Sequence, residues 1–139
     1  YEEVKGWMDW LMDTLDKMER PKCLCHIDAN VDNFLFFEDG SVKLLDWEYA
    51  GMCDPVMDVS MCAIYSYYNE EDMERLFRMY LQREPSGDEL FALYANAALG
   101  GFLWCLWAVY KSILGDEFGE YTIIMYRYAK KYYRKLRKL

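Results

Sequence analysis

Histidine is almost missing from this chain, with one in 139 residues, at position 26. A single imidazole and the tight Cys23-x-Cys25 spacing exclude a zinc knuckle, which needs four Cys or His ligands at characteristic intervals. Cationic side chains are also scarce: 16 Lys and Arg stand against 24 Asp and Glu, a net charge of −8. Such a surface repels a phosphate backbone, which argues against sequence-independent binding to nucleic acid. No signal-peptide pattern is seen and no run of eighteen uncharged apolar residues is counted, so no membrane partner is expected. The five cysteines, at 23, 25, 53, 62 and 105, are an odd number and fit free thiols in a reducing, cytoplasmic setting. Two further absences bear on chemistry: there is no glycine-rich phosphate-cradling loop and no strand with a Val-Ala-x-Lys-type lysine.

What is present is apolar and aromatic. A hydrophobic fraction of 54% with 18% aromatics argues against disorder, and the length suffices for one core, hence one domain over residues 1–139. Trp7, Trp10, Leu11, Thr14, Leu15 and Met18 recur at three- and four-residue spacing and predict a helix over 3–19, ended by Arg20-Pro21. Strands are predicted at Phe34–Phe37 and Val42–Leu45, joined by Glu38-Asp39-Gly40-Ser41, with Gly40 free to take a positive φ. After Asp54-Pro55, helices are predicted at 56–68, 70–83, 87–114 and 117–137. Ser86 and Glu89 form a capping-box pattern, Gly115 is a helix stop, and Gly100-Gly101 is expected to weaken or kink the third of these helices. The fold class is therefore mainly α with a small β-hairpin.

The most informative segment is Cys25-His26-Ile27-Asp28-Ala29-Asn30-Val31-Asp32-Asn33, followed by Leu44-Leu45-Asp46-Trp47-Glu48. It reads as His-x-Asp-x4-Asn, a hairpin, and a strand ending on aspartate. Phosphoryl transfer from a nucleotide uses those parts in that order: a carboxylate for the hydroxyl proton, then an amide oxygen and a second carboxylate for Mg²⁺. Asp28 is the candidate base, and Asn33 and Asp46 are the candidate metal ligands. The blander alternatives are a loop aspartate making a local turn for Asp28 and a β-turn residue for Asn33. His26 tempts as a general base, but in such a loop that position packs and hydrogen-bonds to hold the loop's shape.

These residues, with Asp46-Trp47-Glu48-Tyr49-Ala50-Gly51 and Asp54-Pro55-Val56-Met57-Asp58, resemble the choline/ethanolamine kinase and aminoglycoside phosphotransferase superfamily, in particular its bacterial choline kinase branch. The similarity runs over roughly residues 20–138. It implies the C-terminal lobe of a protein kinase-like fold, with the N-terminal nucleotide lobe as a missing partner, ATP as co-substrate, Mg²⁺ as cofactor, and choline or a related amino alcohol as acceptor. It further implies that Asp58 begins a helix and ties back to the catalytic loop's N–H groups; a plain N-cap is the alternative. The role of Glu48 stays open between holding a metal-bound water and ordering the loop.

Trp104 and Trp107 stand three apart on a predicted helix, so their indoles share a face. On spacing alone they are core residues. The resemblance instead implies an aromatic cage around a quaternary ammonium, with Tyr49, Tyr65 and Tyr121 as further walls and Asn30 near the acceptor hydroxyl. Where animal choline kinases place an acid about 19 positions after the metal aspartate, this chain has Tyr65. The basic stretch Lys130–Lys138 is read as a solvated helix end favoured by the macrodipole. The reading is ATP-dependent phosphorylation of choline. Ethanolamine, an aminoglycoside or another amino alcohol is the rival acceptor, and a non-catalytic cation-binding module the rival class. Without the small lobe, these residues alone are expected to be inactive.

Overall fold

The structure, a computed structural model, describes residues 1–138. Helix α1 (Glu2–Asp16) buries Val4, Met8 and Leu11, a four-then-three spacing that lays one stripe on the core. Its tryptophans meet the far end of the chain: Trp7 stacks on Tyr133 with centroids 4.6 Å apart, and Trp10 meets the same ring edge-on at 5.9 Å. The helix stops at Asp16, three residues short of expectation, and Met18 closes a tighter turn through its N–H to the Leu15 carbonyl.

Two small antiparallel sheets follow. Strand β1 (Cys23–Cys25) pairs with β4 (Gly51–Cys53), Cys23 lying opposite Cys53, while β2 (Phe34–Phe36) pairs with β3 (Val42–Leu44). The second pair is the expected hairpin, turning at Gly40 with φ +81°. The first was not anticipated, since its partners lie far apart in sequence and are each three residues long. Arg20 locks it from below, its Nε donating to Asp54 Oδ2 at 2.6 Å with both side chains largely buried.

The helical half comprises α2 (Val56–Tyr65), α3 (Glu70–Leu81), α4 (Gly87–Ile113) and α5 (Tyr121–Leu136). The capping box at Ser86 and Glu89 is formed in both directions, at 3.2 and 2.8 Å. Helix α4 runs through the centre and packs against α5, α2 and α1, and α1 also meets α5. Two expectations change here. The glycine pair does not interrupt α4; it admits neighbours. A Cβ on Gly101 would sit 2.7 Å from the Met125 carbonyl oxygen, and one on Gly100 2.4 Å from the Met61 methyl. In addition, by length and composition α4 is apolar enough to cross a membrane, contrary to the count above: Leu90–Tyr110 carries no charge. In this fold 61% of its most apolar window is buried against other helices.

Candidate active site

The site grows from Leu45, the residue before Asp46. Its N–H donates to the Asn33 carbonyl at 2.9 Å, and its carbonyl accepts from His26 Nε2 at 2.5 Å. Since a carbonyl only accepts, Nε2 carries the proton in this bond. His26 is fully buried, edge-on to Trp47 at 4.9 Å, and its ring ties its own loop to Leu45. The next residue, Asp46, turns left-handed at φ 61°, ψ 62°. That conformation is uncommon outside glycine and tolerable for aspartate.

The loop that carries Asp28 is held from behind. Asp58, in the first turn of α2, accepts the N–H of His26 at 2.9 Å and of Ile27 at 2.7 Å. With both N–H groups satisfied, Asp28 emerges between two donors. Tyr65 donates its hydroxyl to Oδ1 at 2.6 Å, and Asn33 Nδ2 donates to the Asp28 carbonyl at 3.0 Å and to Oδ2 at 3.3 Å. Burial, then the bond to Asp28, pushes the Tyr65 phenol well above its ordinary value, so it remains a donor.

A cavity of about 360 Å³ opens beside Asp28, lined by Asn30, Glu48, Tyr49, Tyr65, Trp104, Trp107, Phe118 and Tyr121. Every residue proposed as an acceptor contact reaches it. Trp104 is the buried floor; Trp107 meets it edge-on at 5.5 Å, Tyr65 leans on it at 5.7 Å, and Tyr49 stands at right angles at 6.2 Å. Lys111 lies over Trp107, its Nζ 5.9 Å from the ring centroid. Asn30 also caps a short 3₁₀ turn (Val31–Asn33), its side chain accepting from the Asp32 N–H. Glu48 stands at the rim, where its charge holds the Tyr49 phenol above its usual value. The sequence reading missed Phe118, whose ring meets Trp107 at 5.2 Å and Tyr121 at 6.2 Å. Its one signal was position: an aromatic between Gly115 and Gly119 in a segment assigned to helix, whereas α5 begins only at Tyr121.

His26, Asn33, Asp46 and Asp58 lie outside that cavity; of these only Asn33 touches Asp28 directly. Among the described residues no group of three or more His, Cys, Asp or Glu side chains is placed to hold a metal. One amide oxygen and one carboxylate nevertheless suit Mg²⁺, which keeps most of its waters and takes its other ligands from substrate phosphates.

The sequence model of the phosphotransferase enzyme family matches residues 1–94, over half of the chain. The chain belongs to that family. It is 26% identical over 122 residues to protein LicA of Haemophilus influenzae, a match covering 82% of this chain and 44% of that protein. Among solved structures it resembles choline kinase LicA of Streptococcus pneumoniae at 29% identity and TM-score 0.81, covering 97% of this chain and 48% of that one. A choline/ethanolamine kinase family protein of Mesorhizobium loti matches at 26% identity and TM-score 0.82, over 95% and 46%. The chain thus spans about half the length of these relatives. The fold is that of a kinase-like C-terminal lobe.

Proposed function

We propose that these residues form the catalytic and acceptor-binding half of a kinase that transfers the γ-phosphoryl group of ATP to the hydroxyl of choline. One observation carries the reading: the cavity joins a carboxylate, Asp28, to a box of six aromatic side chains roomy enough for a small cation. A trimethylammonium group has no N–H to donate, and it is held by ring faces rather than by acceptors.

In this reading Asp28 accepts a hydrogen bond from the choline hydroxyl and aims its oxygen at the γ-phosphorus. The new O–P bond forms as the bond to ADP breaks, and the proton passes to Asp28 late, because the transition state is loose. The two donors already on Asp28 leave lone-pair positions for this contact. Asn33 Oδ1 and Asp46 are the residues that would hold Mg²⁺, which supplies charge neutralisation on the phosphates when bound. The phosphate-cradling lobe lies outside these 139 residues, and the relatives' greater length supports that. A cytoplasmic location belongs to the same proposal, since five free cysteines suit a reducing compartment.

Glu48 at the rim favours a second acceptor, ethanolamine, because a primary ammonium seeks a carboxylate. Steady-state assays of the two-lobed protein with choline, ethanolamine and an aminoglycoside decide between them. A kcat/KM highest for choline is expected; one highest for a primary amine overturns the choline reading.

A further inference from the structure

Tyr65 belongs to two environments at once. Its ring is a wall of the aromatic cavity, packed on Trp104, and its hydroxyl donates to Asp28 Oδ1 at 2.6 Å. An O–H donor on a carboxylate at that distance makes a strong, directional hydrogen bond. The other donor on the carboxylate, Asn33 Nδ2, is divided between the Asp28 main-chain carbonyl at 3.0 Å and Oδ2 at 3.3 Å. The side-chain torsion of Asp28 is therefore set mainly by Tyr65. Trp104 backs the Tyr65 ring, and its own buried indole N–H has no partner among the described residues. Pressure on the cage wall thus reaches the carboxylate through one rigid ring, with no flexible linker between them.

Building on the phosphotransfer reading above, we propose that Tyr65 is a positioning residue that couples the filling of the aromatic cage to the aim of Asp28, and that this coupling favours quaternary over primary amines. A trimethylammonium presses on the ring and leaves the hydroxyl–carboxylate bond alone. A primary ammonium brings N–H donors into the same space, and these compete with the Tyr65 hydroxyl for Asp28 Oδ1. The competition turns the carboxylate toward the cation and away from the hydroxyl that is to be phosphorylated.

The test is Tyr65→Phe in the two-lobed enzyme, which keeps the wall and removes the donor. The expected result is a fall of about tenfold or more in choline kcat with choline KM held within about threefold, and a narrowed choline-to-ethanolamine ratio of kcat/KM. A wall residue with no effect on Asp28 would instead move KM and spare kcat. In an Asp28→Asn background, Tyr65→Phe should add almost nothing, since the two residues act as a unit. If Tyr65→Phe lowers the melting temperature, the assays are run well below it, and the Asp28→Asn background still separates coupling from packing. Unchanged choline kcat in a folded Tyr65→Phe enzyme, or full additivity with Asp28→Asn, overturns the coupling and leaves the phosphotransfer reading standing. Absence of turnover with any amino alcohol in the unsubstituted enzyme overturns both.

Discussion

The Oδ1 atom of Asp58 accepts the backbone N–H of Ile27 at 2.7 Å, and Ile27 sits at a φ of +70°. A β-branched residue in that region is strained by roughly 1–3 kcal/mol, and something outside the loop must hold it there. Asp58 does so, with its other oxygen on the fully buried His26. The Asp58→Ala protein should lose on the order of 3 kcal/mol, because two N–H groups of an inward-facing loop are left without acceptors. Urea denaturation measures this; a loss below about 0.5 kcal/mol would show that the loop holds its own shape.

Asp28 and Asp46 should fail differently. With Asp28→Asn the two-lobed enzyme should lose at least a hundredfold in kcat (about 3 kcal/mol) while binding ATP nearly normally. With Asp46→Asn, Mg²⁺-dependent nucleotide binding should weaken as well, since a metal ligand is removed. Calorimetric titration of ATP with and without Mg²⁺ separates the two, and near-normal turnover by Asp28→Asn would sink the assignment.

Trp107 is only partly buried, so its removal tests the cage more cleanly than loss of Trp104, the floor, which is 8% exposed. Trp107→Ala should raise KM for choline roughly thirtyfold (about 2 kcal/mol) and leave KM for ATP alone. If choline KM does not move while circular dichroism shows a folded protein, Trp107 is packing and nothing more.

The cap of α4 should be visible in acid. The Arg83 guanidinium, and after it the Ser86 backbone N–H, draw the Glu89 carboxyl down to about 2. A carboxyl depressed on folding adds stability above its unfolded value, near ~4.3, and that stability is lost as pH falls through the folded value. Stability should therefore decline between about pH 4.5 and 2, and the decline should be shallower in Glu89→Gln. Arg83 is 56% exposed, so the difference should be no more than about 1 kcal/mol. Denaturation midpoints in steps across that interval check it; parallel curves for the two proteins would remove Glu89 from the acid response.

Legibility in the sequence followed the range of the interaction. The capping box and the Gly40 turn depend on residues a few positions apart, and the spacing alone shows them; of the α1 stripe the spacing gave Leu11, while Val4 and Met8, buried beside it, were not in the expected set. Pairing of Cys23–Cys25 with Gly51–Cys53 depends on a closure that no local pattern encodes. Gly100 and Gly101 read as weak points of a helix because propensity considers one helix at a time; what determines them is the approach of Met61 and Met125. In the site, Asp28 was legible from its motif, whereas the tryptophan pair read as core by spacing and was placed beside a ligand only by the family resemblance. The Tyr65–Asp28 bond was not legible, because it joins α2 to a loop 37 residues earlier.

Pairing of β1 with β4 also has a consequence for the order in which the molecule assembles. Everything between them, residues 26–50, is a closed loop whose ordering requires that pairing and the grip of Asp58, both long-range. Helices α4 and α5 are joined by residues 114–120 alone, so their pairing starts from a short closure and needs less chain entropy to begin. The helical half is accordingly expected to fold first, and the residues that carry Asp28 and Asp46 to settle last and open most readily. In native-state hydrogen exchange, amides of 26–50 should exchange through openings of lower free energy than those of α4 and α5. Equal protection of the two regions would mean that site and core form as one unit.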